Sequence, residues 1–314
     1  MVAYALRRAL QALIVLVGVS VIVFTLLQLV PGDPVRVALG TRFDQGTYDA
    51  LRERSGLDRP LIAQYLSYLG HAATGDLGVS FRSGEPVTTL LLERLPATAS
   101  LALTALLIAL LIAIPLGVLA AVRAGSIWDY AATGISQIGV SVPDFWMGIL
   151  FILLFSSTFG WLPPSGYEPL FGDPLGWVKH VVMPAAAVGL VSGAILTRFV
   201  RSAVLESLGR DYTRTAHSKG LRTGVVVRRH VLRGAMVPIV TVTGLQLASL
   251  LGGIIVIEIV FAWPGLGQLT LDAVRGRDYP VVQGSVLLLA ATFLVVNLLV
   301  DLLYAVLDPR IRLR

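Results

Sequence analysis

Six long runs of apolar residues, separated by polar stretches, dominate the pattern of this 314-residue chain. Each run is long enough to cross a hydrocarbon core of about 30 Å as a helix that rises about 1.5 Å per residue. A proline-containing turn at residues 141–144 interrupts the third run, and Pro115 predicts a kink in the second. We therefore predict an all-α membrane protein with spans near residues 9–30, 97–122, 132–159, 181–200, 235–262 and 281–307.

The first run follows Arg7 and Arg8 and ends in the turn sequence Val30-Pro31-Gly32-Asp33-Pro34. The competing interpretation is a cleaved signal peptide, whose apolar region of about 7–15 residues precedes a small-residue cleavage site. This run is longer and ends in a turn, so we expect it to be retained as a membrane helix. The arginine pair alone is weak support for twin-arginine export.

Composition agrees with a membrane location, since the chain is 55% hydrophobic and 14% charged. It contains no cysteine, which excludes disulfides, iron–sulfur clusters and thiolate metal sites. Its four histidines lack the H-x-x-x-H and H-E-x-x-H spacings of a metal site. Neither Lys179 nor Lys219 follows a glycine, so no phosphate-binding G-K-[S/T] loop is present. Any ATP that drives this protein must bind to another chain.

Two polar segments stand out between the apolar runs. Residues 31–96 are too long for a simple loop, so we predict a small folded cap that contains a short amphipathic helix with Tyr65 and Tyr68 on one side. Residues 198–233 carry nine Lys and Arg against Glu206 and Asp211. Asp211 is a good N-cap and Gly220 a good helix stop, which predicts a helix of about two turns between them.

The distribution of basic residues orients the six spans. In the predicted topology the two short loops on one side carry Lys179, Arg275 and Arg277, whereas most other basic residues lie on the opposite side. By the positive-inside rule, both termini and residues 198–233 are cytoplasmic in a multi-pass plasma-membrane protein. Because a basic loop then serves as a topology signal, we do not expect nucleic-acid binding. The residues of the cytoplasmic side are Arg7, Arg8, Arg123, the nine basic residues of 198–233, Arg310, Arg312 and Arg314.

Polar side chains within the apolar runs are candidates for function, because they are costly in lipid. For Glu258 and Asp301 we favour a structural pairing over contact with substrate, and Asp301 would pair with arginines near the inner interface. For Asp144, beside the Pro143 break, structural pairing and substrate contact are equally compatible with the sequence. The amide side chains of Gln137, Gln246 and Asn297 either line a translocation path or form hydrogen bonds between helices. The candidates for a translocation path are Gln137, Asp144, Gln246, Glu258 and Asn297.

Motifs spread along almost the whole chain resemble, in order, those of the inner-membrane permease subunit of peptide/nickel ABC importers, in particular the B-type dipeptide and oligopeptide permeases. Singly these motifs are weak, but in this order across six spans they are specific. They are Val30-Pro31-Gly32-Asp33-Pro34, Gly56-Leu57-Asp58-Arg59-Pro60, Gly75-Asp76-Leu77-Gly78, Arg94-Leu95-Pro96-Ala97-Thr98, Trp161-Leu162-Pro163-Pro164-Ser165-Gly166, Val260-Phe261-Ala262-Trp263-Pro264-Gly265-Leu266-Gly267 and Leu307-Asp308-Pro309-Arg310.

The basic segment resembles the ATPase-coupling motif of this family. Thr215-Ala216-His217 stand where E-A-A is usual, Gly220 is the motif glycine, His230-Val231-Leu232 fill I-x-L and Arg233 replaces the motif proline. The resemblance implies a helix that lies in a groove of a cytoplasmic ATPase; a basic helix lying on anionic lipid is the alternative. The residues this assigns to coupling are Asp211, Tyr212, Arg214, Thr215, Ala216, His217, Lys219, Gly220 and Leu221.

These residue types suit such a contact. Thr215, Ala216 and Gly220 would allow close approach, Tyr212 and Leu221 would supply apolar anchors, and the basic residues Arg214, Lys219 and Arg222 would pair with ATPase acids.

The resemblance also implies the fold, the domains and the partners. It implies a type I ABC importer permease, with the N-terminus and first span at 1–30, an extracytoplasmic cap at 31–96 and a permease core at 97–314. Such a subunit is not an enzyme by itself and carries no cofactor, because ATP and Mg lie on partner ATPases. The implied partners are a second homologous permease in a heterodimer, two ABC ATPases or one fused ATPase, an extracytoplasmic substrate-binding protein and membrane lipid.

The implied cargo is a dipeptide or oligopeptide, while glutathione, haem or a nickel complex stay open. An ion-coupled secondary transporter is the alternative from another class, and it predicts matching broken helices in two inverted halves. One break, at Pro143, is visible in the sequence. An intramembrane enzyme would need a catalytic constellation that we do not recognise.

Overall fold

The computed structural model describes residues 2–40, 43–56 and 58–307, and these residues form helices joined by turns, with one isolated β-bridge between Val79 and Pro86. The C-terminal arginines invoked for topology, Arg310, Arg312 and Arg314, lie outside the described residues. The helices are α1 Val2–Gln28, α2 Pro34–Leu39, α3 Gln45–Ser55, α4 Leu61–Ala73, α5 Val87–Val122, α6 Ile127–Ser141, α7 Asp144–Phe151, α8 Pro174–Leu208, α9 Asp211–Ser218, α10 Thr223–Val226, α11 Leu232–Gly253, α12 Ile255–Val260, α13 Leu266–Arg275 and α14 Tyr279–Leu307. Two π-helical segments, Ile152–Thr158 and Val227–Val231, follow α7 and join α10 to α11.

Within the described residues, five helical segments are long and apolar enough to cross a membrane: Leu6–Gln28, Val87–Val122, Pro174–Leu208, Thr223–Gly253 and Tyr279–Leu303. The pair Ile127–Ser141 and Asp144–Thr158 passes the same test jointly and is bent by 93° at its break. The all-α prediction and the interruption at 141–144 are therefore confirmed. Six spans result if the bent pair counts as one. Pro143 explains the bend, because it lacks an amide hydrogen and has an extended backbone (φ −63°, ψ 137°).

Several helices extend beyond the apolar runs. Helix α5 begins at Val87 and passes through Pro96 and Pro115, so residues 87–96, which the sequence placed in the cap, belong to a spanning helix. Helix α8 covers Pro174–Leu208 rather than 181–200. In both cases the uncharged run underestimates the helix, because charged and polar residues continue it past the hydrocarbon core. The fifth run divides at Ile254, after which α12 begins.

The centre of the fold is the packing of α5 against α8. A Cβ atom at Gly189 would lie 2.9 Å from the carbonyl oxygen of Ala105, and one at Gly193 would lie 3.3 Å from the Cα atom of Ala109. A side chain at residue 189 would therefore force the two backbones apart, and one at residue 193 would be tightly packed. The small-residue face predicted at 189–193 is confirmed as a helix–helix contact.

Helix α1 lies at the edge of the bundle and packs against α14, with most of its side chains exposed. Near the end of α14, the carboxylate of Asp301 lies 3.2 Å from Nε of Arg8. The predicted pairing of Asp301 with an interfacial arginine is thus confirmed.

The cap (residues 31–86) contains α2–α4, and Asp33 organises its first part. Its Oδ1 accepts hydrogen bonds from the amides of Val35 and Arg36, and its Oδ2 accepts bonds from the Tyr48 hydroxyl (2.6 Å) and from Arg52 (3.1 Å). Burial acts to raise the pKa of Asp33, but the Tyr48 hydroxyl, the two amides and the Arg52 charge outweigh it. The pKa therefore lies below the ordinary value of 3.8.

Hydrogen bonds attach the cap to the spans, including bonds to the turn before α14 and to α1. Asp278 lies in the turn before α14, and its buried carboxylate accepts hydrogen bonds from the Ser80 hydroxyl at 2.5 Å and from the backbone amide of Phe81 at 3.0 Å. On the predicted amphipathic helix α4, the Tyr65 hydroxyl lies 2.9 Å from Oγ of Ser20 on α1. The turn 80–83 is therefore fixed to the start of the last span, and α4 to the first.

Candidate functional site

The predicted two-turn helix in the basic segment is present as α9, Asp211–Ser218. Gly220 follows it with φ +76°, a conformation that favours glycine, so the predicted stop is confirmed. The predicted N-cap is wrong. Arg210 occupies that position with an extended backbone (φ −74°, ψ 150°), and Asp211 is already the first helical residue. Asp211 still lies in the first turn, where a negative charge favours a helix.

The inner side of α9 packs against its own bundle. Thr213 is buried and its Oγ1 donates to the carbonyl of Ser207 at 2.8 Å. Ala216 is 5% exposed and belongs to the main hydrophobic core. The expectation that Ala216 offers a close approach to a partner is therefore wrong, because a helix with a 3.6-residue repeat places Thr213 and Ala216 on one face.

The outer side of α9 and the three residues that follow it carry the remaining predicted coupling residues. Tyr212 is 44% exposed, and Leu221 is 38% exposed. His217 is exposed and its Nδ1 lies 3.0 Å from the Thr213 carbonyl. The other exposed members are Asp211, Arg214, Thr215, Lys219 and Gly220.

A basic surface surrounds these residues, and we call it the basic face: Arg214, Lys219, Arg222, Arg228 and Arg229, all exposed. The acid on α9 is Asp211, whose Oδ1 lies 3.9 Å from Nη1 of Arg214. The face is thus strongly positive, which fits an acidic partner surface.

A partly buried ion pair between α6 and α8 was not predicted. Asp129 of α6 is 4% exposed, and its carboxylate accepts two hydrogen bonds from Arg201 of α8, one from Nε at 2.6 Å and one from Nη2 at 2.8 Å. The amide of Gly125 donates to the same carboxylate at 2.9 Å. The pair joins the first half of the bent span to the helix that leads into α9. The partners are 72 residues apart, so linear spacing gives no signal for it.

Glu258, a candidate for the translocation path, is 1% exposed and fully engaged within the chain. Its Oε1 accepts a hydrogen bond from the Thr98 hydroxyl at 2.7 Å, and its Oε2 accepts one from the backbone amide of Gln268 at 2.9 Å. Thr98 in turn accepts the Leu266 amide at 2.8 Å. A Cβ atom at Gly265 would overlap the Glu258 carboxylate, so glycine is required there. The carboxylate joins α5, α12 and the N-terminus of α13.

The other path candidates bond separately. Gln246 donates to Ser192 Oγ at 3.0 Å, a bond between α11 and α8. Asp144 is half-buried at the start of α7, where its Oδ1 accepts the Phe145 amide. Gln137 is exposed on α6 and Asn297 is half-buried on α14. None of these bonds joins two path candidates to each other.

Comparison with known proteins identifies the family to which this architecture belongs. The family profile described as "Binding-protein-dependent transport system inner membrane component" matches residues 113–313, and the profile of its N-terminal region matches residues 1–102. A putative peptide transport system permease protein of Brucella abortus (strain 2308) is 42% identical over 312 residues, 99% of each chain. The oligopeptide transport system permease protein AppB of Bacillus subtilis (strain 168) is 40% identical over 314 residues, again 99% of each chain.

The dipeptide transport system permease protein DppB of Escherichia coli (strain K12) is 42% identical over 336 aligned positions, which cover 99% of each chain. Among solved structures, the inward-facing MetNI methionine ABC transporter matches with a TM-score of 0.54 at 20% identity, over 70% of this chain and 96% of that one. An amino acid ABC transporter solved with histidines gives a TM-score of 0.51 at 16% identity, over 71% and 94%. These structures share the fold. The chain therefore belongs to the family of inner-membrane components of binding-protein-dependent transport systems, with the fold of an ABC importer permease.

Proposed function

We propose that the chain is the membrane-spanning subunit of an ATP-driven importer of dipeptides or oligopeptides. The observation that carries this proposal is the 40–42% identity, over essentially the full length, to relatives named as peptide, dipeptide and oligopeptide permeases. Such a subunit forms part of the translocation path for the substrate and catalyses no reaction itself. ATP and Mg bind to partner ATPases.

The outer side of α9 is the proposed contact with an ATPase. It combines an exposed aromatic ring, Tyr212, with the cations of the basic face and with the small residues Thr215 and Gly220. A short helix that projects basic and aromatic groups is suited to a groove with acidic walls. The proposed orientation places α9 and both termini in the cytoplasm, and the charge distribution along the sequence supports it.

The complete importer contains further chains. A second homologous permease would complete the path in a heterodimer, two ABC ATPases or one fused ATPase would contact the coupling helices, and a substrate-binding protein would meet the cap. ATP binding would close the ATPases and move α9. The movement would pass to α8 through Thr213 and Ser207, and to α6 through the Asp129–Arg201 pair.

The first experiment is affinity purification of the tagged chain from its native host, with identification of the co-purifying chains and measurement of ATP hydrolysis. Two P-loop ATPases and a second six-span chain are expected. A preparation of this chain alone that transports in ATP-free vesicles would contradict the proposal and favour a secondary transporter. Uptake of dipeptide, oligopeptide, glutathione, haem and nickel by vesicles of the complex would identify the cargo.

Cysteine crosslinking tests the coupling surface directly, because the chain has no cysteine of its own. Ser218→Cys and Thr215→Cys, both at exposed positions of α9, are expected to crosslink to the ATPase. Phe171→Cys is the matched control, since Phe171 is 99% exposed in the loop between α7 and α8, on the opposite side of the bundle. Equal crosslinking at Phe171, or none at either α9 position, would contradict the coupling role.

A further inference from the structure

The second half of α8 is packed on three sides and open on the fourth. Gly193 faces α5, and Ala194 faces Gly139 of α6. Ser192 accepts a hydrogen bond from Gln246 of α11. Because a helix turns by about 100° per residue, the remaining side points between α6 and α11. It forms a groove with a cavity of about 280 Å³, lined by Val140, Ile195, Arg198, Phe199 and Ser202.

Arg198 is the unusual residue in this groove. It lies within the apolar run at 181–200, ten residues before the end of α8, which is about 15 Å along the helix. Its side chain is exposed, and it forms no ion pair or hydrogen bond with the described residues. A charge within a membrane span is costly, so an unpaired one indicates a ligand or a partner.

The acids on the helices around the groove do not neutralise Arg198. Asp129 of α6 is held by Arg201, and α11 contains no acid. Asp144, at the start of α7, accepts the amide of its own neighbour and forms no ion pair with the described residues. Ser202 lies one turn after Arg198, and its hydroxyl likewise bonds to no described residue. Among these residues the groove therefore offers an unpaired cation and an unpaired hydroxyl, which together suit an anionic group.

We propose that Arg198 binds the C-terminal carboxylate of a peptide in transit, with the Ser202 hydroxyl as a second donor. This inference rests on the proposed function and adds a residue that recognises the cargo. Peptides differ in their side chains, but each linear peptide ends in a carboxylate. A guanidinium binds that group with two parallel hydrogen bonds.

Two of the path candidates flank the same groove. Gln137 is exposed on α6 and lies three residues before Val140, so both are on one face of that helix. Gln246 lies on α11, on the other side of α8. Side-chain amides suit the peptide groups of a cargo whose carboxylate lies at Arg198. The sequence alone gave Arg198 a role only in orienting the chain.

The test measures binding to the purified complex without its substrate-binding protein, whose own preference would otherwise contribute. Saturation-transfer NMR gives the dissociation constants of trialanine and of trialanine amide, which lacks the carboxylate. The parent complex should bind trialanine about tenfold more tightly, the scale of one charge-assisted contact. Equal binding of the two compounds by the parent would overturn the proposal.

Three variants locate the contact. Arg198→Gln should weaken binding of trialanine by about tenfold and leave the amide bound as before or more tightly, because the amide carries only a positive charge. Retained binding of the amide also shows that the variant is folded. Arg198→Lys keeps the charge without the planar fork and should restore part of the preference. Lys179→Gln is the matched control, since it removes an exposed positive charge from the same helix outside the groove.

Two results with Arg198→Gln would overturn the proposal. An equal loss for both compounds would assign Arg198 to an acidic lipid or to an acid of the second permease, and unchanged binding would leave it without a role in recognition. A loss of preference in Lys179→Gln equal to that in Arg198→Gln would likewise contradict a specific contact.

Uptake separates this inference from the proposed function. ATP-driven uptake of trialanine by the parent, with an unchanged preference for the carboxylate in Arg198→Gln, would overturn the inference and leave the function standing. Binding of trialanine that depends on Arg198, in a complex that shows no ATP-driven uptake, would support the carboxylate site and contradict the function.

Discussion

The hydroxyl oxygen of Tyr212 lies 2.5 Å from Oγ of Ser207, and the Ser207 hydroxyl also donates to the carbonyl of Val231 at 2.8 Å. Tyr212 belongs to α9, Ser207 to the last turn of α8, and Val231 to the π-helical segment before α11. One serine thus connects the proposed coupling helix to both spans that flank it. The ring of Tyr212 stays partly exposed while its hydroxyl is held inside.

The first prediction concerns Gly234, which provides the space for this hydroxyl. A Cβ atom at Gly234 would overlap the Tyr212 hydroxyl oxygen and lie 2.8 Å from Oγ of Ser207. Gly234→Ala should therefore displace α9 and lower transport per ATP hydrolysed by roughly tenfold. Adding Tyr212→Phe removes the overlapping atom, so the double variant should recover part of this coupling.

Gly224→Ala is the control for that experiment, because a Cβ atom there would meet nothing within 4 Å. It should couple like the parent chain. If Tyr212→Phe fails to restore any coupling to Gly234→Ala, the contact is not what fixes the position of α9. The measurement is the ratio of peptide uptake to ATP hydrolysis in proteoliposomes of the complex.

The second prediction separates a structural Glu258 from one that contacts cargo. Both carboxylate oxygens of Glu258 accept a hydrogen bond, one from the Thr98 hydroxyl and one from the backbone amide of Gln268. Glu258→Gln replaces one of these oxygens with an NH2 donor, so one buried hydrogen bond is lost. We expect a loss of about 1–3 kcal/mol in the free energy of unfolding. Thermal unfolding of the purified chain measures it, with Glu93→Gln at an exposed position as control. Normal stability together with lost transport would instead place Glu258 on the path.

The third prediction concerns the ion pair between Asp129 and Arg201. Asp129→Ala leaves the Arg201 guanidinium, which is 30% exposed, without its partner. A broken buried pair is costly, and partial exposure of the arginine reduces the effect, so we expect a loss of roughly 2–3 kcal/mol. Chemical unfolding of the purified chain measures this.

Arg210→Ala gives the comparison for that pair, because Arg210 and its partner Glu206 are both exposed. A surface pair of this kind contributes about 0–1 kcal/mol. Equal losses for Asp129→Ala and Arg210→Ala would show that the buried pair contributes no more than an exposed one.

The fourth prediction concerns acid and the cap. The pKa of Asp33 lies below its ordinary value of 3.8, so its ionised form is favoured by the folded cap. The stabilisation is complete above the ordinary pKa and is lost as pH falls through the lower, folded value. We therefore expect amide hydrogen exchange in α2 and α3 to accelerate below about pH 4, after correction for the intrinsic rate. Asp33→Asn should remove this pH dependence from α2 and reduce it in α3, where the pKa of the N-cap residue Asp44 is also lowered by its hydrogen bonds from Thr47. Glu53→Gln, at an exposed position of α3, should keep it in both helices.

The sequence by itself determined the features that depend on local chemistry. The lengths of the apolar runs gave the all-α membrane class, Pro143 gave the break in the third span, and Gly220 gave the end of α9. Glycine spacing at residues 189 and 193 gave a close-packing face. Each follows from backbone restrictions or from apolar length, which a few neighbouring residues decide.

The tertiary structure alone decided which face of each helix is buried and which distant groups meet. Ala216 belongs to the core and not to the outer side of α9, and Arg210 rather than Asp211 caps that helix. Thr98 and Glu258 are 160 residues apart, and Ser80 and Asp278 are 198 apart. Such pairs arise because helices from different parts of the chain pack side by side, and hydropathy does not encode which helices become neighbours. The burial of Tyr279 is of the same kind, because its side chain packs where residues of the cap, α1 and α14 meet.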